Sequence, residues 1–158
     1  MELDRESQRD PEGGEESAYE LLLRGHDLMR RRHNAQAAVV LERAARLEPG
    51  KGSILEALGR ARYNAGQHEA ARESFDALVA IDPVSHYGYY GLGMSLRRLG
   101  RGREAWTHLR LAAALDPASA LYRSALGRVP EPDHSAERVA EDERRAHPRA
   151  RDGDPREH

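Results

Sequence analysis

Proline recurs at Pro49, Pro83 and Pro117, two successive steps of 34 residues, and glycine keeps the same step at Gly25, Gly59, Gly93 and Gly127. Ala37, Ala71 and Ala105 form a third column, and Leu41, Phe75 and Leu109 a fourth. Four columns in one register specify a series of like units, each burying its apolar face against its neighbours, rather than one irregular core. Within a unit, two stretches of helical periodicity flank a short polar turn and end at a proline, as in GSILEALGRARYNAG followed by QHEAARESFDALVAIDP. The predicted unit is a helical hairpin. A glycine or alanine inside a helix lets a neighbouring element come close, while Leu, Phe and Tyr fill the space between helices. Proline lacks a donor and disfavours helical geometry in the residue before it, so it ends the second helix. Gly66 and Gly100 fall at the turn inside the second and third units, where a positive backbone φ is expected. The first unit has Arg32 there, which predicts a looser turn.

These columns resemble the tetratricopeptide repeat family, whose 34-residue pattern has a large residue at position 4, Leu-Gly at 7 and 8, Tyr at 11, Ala at 20, an aromatic at 24, Ala at 27 and Pro at 32. With units at 18–51, 52–85 and 86–119, position 4 is Leu21, Leu55 and Tyr89, and positions 8, 20 and 32 are the glycine, alanine and proline columns. The departures are Arg24 at position 7, Leu28, Arg62 and Leu96 at position 11, and Leu78 at position 27, each expected to weaken a single contact. The resemblance implies an all-α fold, a right-handed superhelical α-solenoid of about seven helices spanning 18–130. A repeat array needs its open end covered. Residues 120–129, with Leu126-Gly127 at positions 7 and 8 and Pro130 cutting the helix short, are expected to form that capping helix.

The chain has 158 residues and no cysteine, which excludes disulfides, thiolate nucleophiles and Cys-bearing zinc sites. The first seventeen residues carry −5 and residues 131–158 carry −3, leaving +6 on 18–130 within a net charge of −2. No global field favours nucleic acid or a membrane surface, and Arg30-Arg31-Arg32-His33 reads as a solvated helix end. Residues 1–16 are expected to be a disordered acidic tail and 131–158 a charged, mostly disordered one, with only 135–146 inclined to helix. No run reaches the roughly 18 apolar residues of a membrane span. The N-terminus opens with acids where a secretory signal needs basic and apolar stretches, so a cytoplasmic location is the expectation. No GxxxxGK[ST], HExxH, GxSxG or EF-hand loop occurs. His26, His33, His68, His86 and His108 are spread without i, i+4 pairing. The expectation is therefore no enzyme, no catalytic or metal site and no cofactor.

In tetratricopeptide domains positions 2, 5, 9, 12 and 13 line a concave groove walled by the first helices, and the resemblance carries these positions over one by one. The first repeat then offers Tyr19, Leu22, His26, Met29 and Arg30; the second Ser53, Glu56, Arg60, Tyr63 and Asn64; the third Tyr87, Tyr90, Met94, Arg97 and Arg98. Ser124 and Arg128 extend the set into the capping helix. The predicted partner-binding residues are Tyr19, His26, Met29, Arg30, Arg60, Tyr63, Asn64, Tyr87, Tyr90, Met94, Arg97 and Arg98. Tyrosine and arginine concentrate where binding energy does, methionine adapts to shape, and Glu56 is the single acid of the groove positions. The expected activity is a protein-interaction adaptor that takes an acidic peptide segment with apolar or aromatic anchors. Family members that grip chaperone C-terminal carboxylates use Lys and Asn at positions 5 and 9 of the first repeat and basic residues at those positions of the third. Here Leu22, His26, Tyr90 and Met94 stand there, which argues against that role. A structural homo-oligomer built through the cap and Trp106, or a small chaperone-like repeat protein, are the alternatives. Trp106 is expected to pack against the capping helix, and the Glu2–Glu16 tail is a candidate competitor for the groove.

Overall fold

The computed structural model describes residues 14–146, so most of the acidic tail and the last residues of the chain lie outside the description. Eight α-helices follow in order: α1 (Ala18–Arg30), α2 (Asn34–Leu47), α3 (Gly52–Asn64), α4 (His68–Ile81), α5 (His86–Arg98), α6 (Gly102–Leu115), α7 (Ala120–Gly127) and α8 (Ser135–Ala146). The described chain is an all-α solenoid of three hairpins, α1–α2, α3–α4 and α5–α6, followed by a short helix. No described helix is long and apolar enough to cross a membrane.

The first helices begin on serines where the sequence supplies them. Ser17 forms a capping box on α1: its Oγ accepts from Glu20 N at 3.2 Å while the Glu20 carboxylate accepts from Ser17 N at 2.8 Å. The bonds that Ser17 donates to the Glu20 carboxylate, from its N–H and from its hydroxyl, hold the Glu20 pKa below its ordinary value. Ser85 and Ser119 cap α5 and α7 by accepting from Gly88 N and Tyr122 N.

The turn inside each hairpin is the same in all three units. In the second unit Gly66 has φ 78°, its N–H donates to Tyr63 O, and Gln67 N donates to Arg62 O at 2.9 Å. In the first, Arg32 takes φ 64°, donates to Met29 O, and is followed by His33 N donating to Leu28 O at 2.8 Å. This paired pattern is a Schellman closure. The looser turn expected at Arg32 does not occur, because the two hydrogen bonds outweigh the left-handed strain of a non-glycine residue.

Hairpin closure rests on the position-8 glycine and the position-24 side chain. A Cβ on Gly25 would lie 2.5 Å from Leu41, one on Gly59 2.7 Å from Phe75, and one on Gly93 2.5 Å from Leu109. Each second helix thus drives a fully buried side chain into the gap left by a glycine of its first helix. Phe75 is held from two sides, since a Cβ on Gly91 of the next hairpin would also stand 2.5 Å from its ring.

Two departures from the repeat pattern prove to be compensated. Arg62 reaches α4 and α2: its Nη1 donates to Ser74 Oγ at 2.8 Å and its Nη2 lies 3.5 Å from the Glu42 carboxylate. Leu78, larger than the alanine usual at its position, is buried and faces Gly88, where a Cβ would come within 3.3 Å of it. In the preceding interface the sizes are reversed, with Ala44 and Ile54 in one core cluster. These positions exchange volume rather than lose contact.

The array stops at α7. Gly127 holds the glycine column, but nothing lies within 4 Å of where its Cβ would be. α8 forms over the one stretch of the mostly disordered tail that is inclined to helix in the sequence, 135–146, and it is the helix beyond the seven anticipated. It buries none of its residues and is tied back by Arg103–Glu137 at 2.9 Å and by His134 against the Trp106 ring. Glu143 stands one repeat step after Leu109, and a carboxylate cannot take the place of a buried leucine, so α8 does not close a fourth hairpin. Trp106 packs, as expected, with the cluster containing Ala125, Leu126 and Val129 of the cap region, under the Arg110 guanidinium at 5.3 Å.

Two outcomes follow for stability. Gly59→Ala should lose about 1–2 kcal/mol in urea unfolding, overpacking outweighing the ~1 kcal/mol gain in helix propensity, and the loss should vanish in a Phe75→Leu background. An equal loss in both backgrounds would contradict the lock. Arg32→Gly should stabilise the chain by ~1 kcal/mol by relieving the left-handed backbone.

Candidate functional site

Because each second helix is spent on locking its own hairpin and backing the next, the first helices are left side by side, α1 against α3 and α3 against α5. Two cavities lie in the troughs between them. The one between α3 and α5 has a volume of about 230 Å³ and is walled by Tyr63, Tyr87, Tyr90 and Met94, with Arg60 and Asn64 at its edge and Phe75 and Gly91 also on its lining. The other, between α1 and α3, measures about 330 Å³ and is lined by His26, Met29, Arg30, Arg60 and Asn64. Arg60 and Asn64 are the shared wall.

The aromatic rings form a continuous series. Phe75 meets Tyr87 edge-on at 6.2 Å, Tyr87 meets Tyr90 at 5.7 Å, and Tyr90 meets Tyr122 at 5.2 Å. Tyr122 Oη lies 2.7 Å from His86 Nδ1, which fixes the far end of the series. Burial pushes the Tyr87 hydroxyl up to about 12, against the opposing pull of Arg60, and burial raises Tyr90 as well. Both phenols therefore remain neutral donors across the physiological range. The Arg60 guanidinium stands 6.0 Å from the Tyr87 ring centroid, at the outer limit of a cation–π contact.

Charge at the groove positions is mostly positive, with Glu56, which acts on the Tyr87 and Tyr122 hydroxyls, as the opposing acid. Among the described residues Arg60, Arg97 and Arg128 have no carboxylate within ion-pair distance. Arg97 Nη1 is buried with no hydrogen-bond partner among the described residues, and Arg97 and Arg128 both act on the Tyr90 hydroxyl. A buried guanidinium nitrogen left unpaired is costly, and an incoming acceptor removes that cost. Arg30 is the exception: it pairs with Asp27 at 2.8 Å, with its side chain largely in water.

Of the twelve predicted groove residues, the two cavities bring together His26, Met29, Arg30, Arg60, Tyr63, Asn64, Tyr87, Tyr90 and Met94. Three lie apart from them. Tyr19 is 66% exposed at the start of α1. Arg98 is turned onto Tyr63, donating from Nε to Oη at 3.2 Å. Arg97 stands beside Tyr90 without lining either cavity. Phe75 and Gly91 were not anticipated there. The signal for them was a glycine at position 6 of the third repeat together with the one phenylalanine of the chain, one unit earlier in the position-24 column. The competing acidic tail lies largely outside the described residues; its last residues place Glu16 against Arg24 and Arg43, on α1 and α2.

Comparison with known proteins gives the same repeat. Residues 22–86 match the model of the family described as tetratricopeptide repeat. Anaphase-promoting complex subunit 3 of Schizosaccharomyces pombe is 28% identical over 99 residues, which is 62% of this chain; the match spans only 15% of that protein's length. Among solved structures, the Sgt2 tetratricopeptide domain from Aspergillus fumigatus superposes with a TM-score of 0.66 at 20% identity, covering 89% of this chain and 90% of that one. The first tetratricopeptide domain of Spaghetti (RPAP3), bound to the HSP90 peptide SRMEEVD, gives 0.69 at 14% identity, covering 78% and 94%. YrrB, a tetratricopeptide protein with an unusual peptide-binding site, gives 0.68 at 22% identity, covering 71% and 58%. The glycine, alanine and proline columns and the hairpin solenoid, with the match over residues 22–86, show tetratricopeptide repeats in this chain.

Proposed function

We propose that this protein is an interaction adaptor whose first-helix groove binds a peptide segment rich in acidic residues and carrying at least one large apolar or aromatic side chain. The observation that carries this reading is the pairing of the aromatic cavity with Arg60 on its lining, which has no carboxylate partner among the described residues. A cavity of about 230 Å³ suits one bulky side chain, and arginines without carboxylate partners suit an anionic ligand. One fold neighbour is bound to a peptide and another has a peptide-binding site, which supports a peptide as the ligand here. The acid requirement comes from this chain's own arginines. A groove made of tyrosine, methionine and arginine supports recognition of a ligand.

Peptide libraries panned on the full-length protein should yield sequences enriched in Asp or Glu together with Phe, Tyr, Trp or Leu. Calorimetric titration of a recovered peptide should show at least about a tenfold loss in affinity with Arg60→Glu or Tyr90→Ala, and weakening with added salt. Thermal melting checks that both variants stay folded. Recovered peptides without acids, or affinities unchanged by both variants, would overturn the reading.

A further inference from the structure

The two troughs differ in chemistry and stand one helix apart, and together they impose a spacing on whatever lies across them. The α3–α5 trough is aromatic, with Tyr63, Tyr87 and Tyr90 on its walls. The α1–α3 trough presents the guanidinium groups of Arg30 and Arg60 beside His26. Helices packed side by side have axes about 8–10 Å apart, so equivalent points in neighbouring troughs are separated by about the same distance. An extended β-strand rises about 3.3 Å per residue and alternates faces, so residues on one side fall about 6.6 or 13 Å apart and straddle that interval. A polyproline II helix rises about 3.1 Å per residue with three residues per turn, which returns a side chain to the same face after about 9 Å.

Resting on the groove reading above, we propose that the ligand is a partner segment in polyproline II conformation, with a large aromatic or aliphatic residue in the α3–α5 trough and a carboxylate three residues away in the α1–α3 trough. Arg60 on the shared wall receives the carboxylate. It has no carboxylate partner among the described residues, while Arg30 is only loosely held by Asp27 in water. Asn64, exposed on the same wall, meets the two intervening residues. A polyproline II backbone makes no internal hydrogen bonds, so its carbonyls are open to the Asn64 amide.

The test uses fluorescein-labelled peptides containing one Phe and one Glu separated by one, two or three prolines, in both orders, with fluorescence anisotropy on the full-length protein. In one of the two orders, the peptide with two intervening prolines should bind at least about tenfold tighter than those with one or three. Arg60→Gln should erase that advantage, and Tyr90→Ala should weaken all the peptides. If the three spacings bind alike and Tyr90→Ala still abolishes them, the spacing proposal falls while the groove reading stands. If the preference for two prolines survives in Arg60→Gln, the placement of the carboxylate falls. If wild type binds none of the peptides, both readings fall.

Discussion

Each hairpin of this protein closes because one helix lacks a side chain where the other has a large one. Gly25 receives Leu41, Gly59 receives Phe75 and Gly93 receives Leu109, each so closely that a single methyl group would collide. Fit at this distance fixes how the two helices of a unit lie against each other, and the 34-residue step repeats that arrangement. Phe75 extends the constraint across units, because its ring is also wedged against Gly91 of the following first helix. Where the constraint lapses, so does the array. Gly127 has nothing against it, Glu143 stands where the next large apolar residue would be, and α8 buries none of its residues.

The groove is the by-product of that locking. With the second helices engaged in closing hairpins, the first helices are left to line one face, where Met29, Tyr63, Tyr87, Tyr90 and Met94 pack against the core with part of their surface still open. Tyr87 and Tyr90 are intermediate cases, half-buried against Phe75 and Tyr122 yet open to the α3–α5 cavity. Their rings are rigid because neighbouring rings hold them, and rigid aromatic walls lose little freedom on binding. In the proposed reading the arginines at the groove supply direction and long-range attraction, which would distinguish a ligand by charge before it is gripped by shape.

The repeat register was legible in the sequence because it is periodic: glycine, alanine, large apolar residue and proline each recur at 34, and each has a mechanical reason to do so. The groove positions were legible through the family resemblance, and nine of the twelve do line the two cavities. What escaped the sequence was particular to single residues. Arg32 accepts a left-handed backbone because the closing hydrogen bonds are available to any residue, which composition alone does not reveal. Arg62 holds three helices by its long reach to Ser74 and Glu42, a contact with no periodic signature. Phe75 reaches the groove cavity from a second helix only because Gly91 clears its path, a coincidence of two columns in adjacent units. Tyr19 is exposed near the start of α1, which no described helix precedes.

The central claim is that recognition occurs on the face walled by the first helices. Backbone amide chemical shifts, recorded while an acidic, aromatic-containing peptide is titrated into the isotopically labelled protein, test it most directly. The account predicts shifts concentrated in α1, α3 and α5, strongest around Arg60 to Asn64 and Tyr87 to Arg97, with the outward residues of α2, α4 and α6 unmoved. Shifts centred on those outward residues or on α8, with the first helices silent, would contradict it.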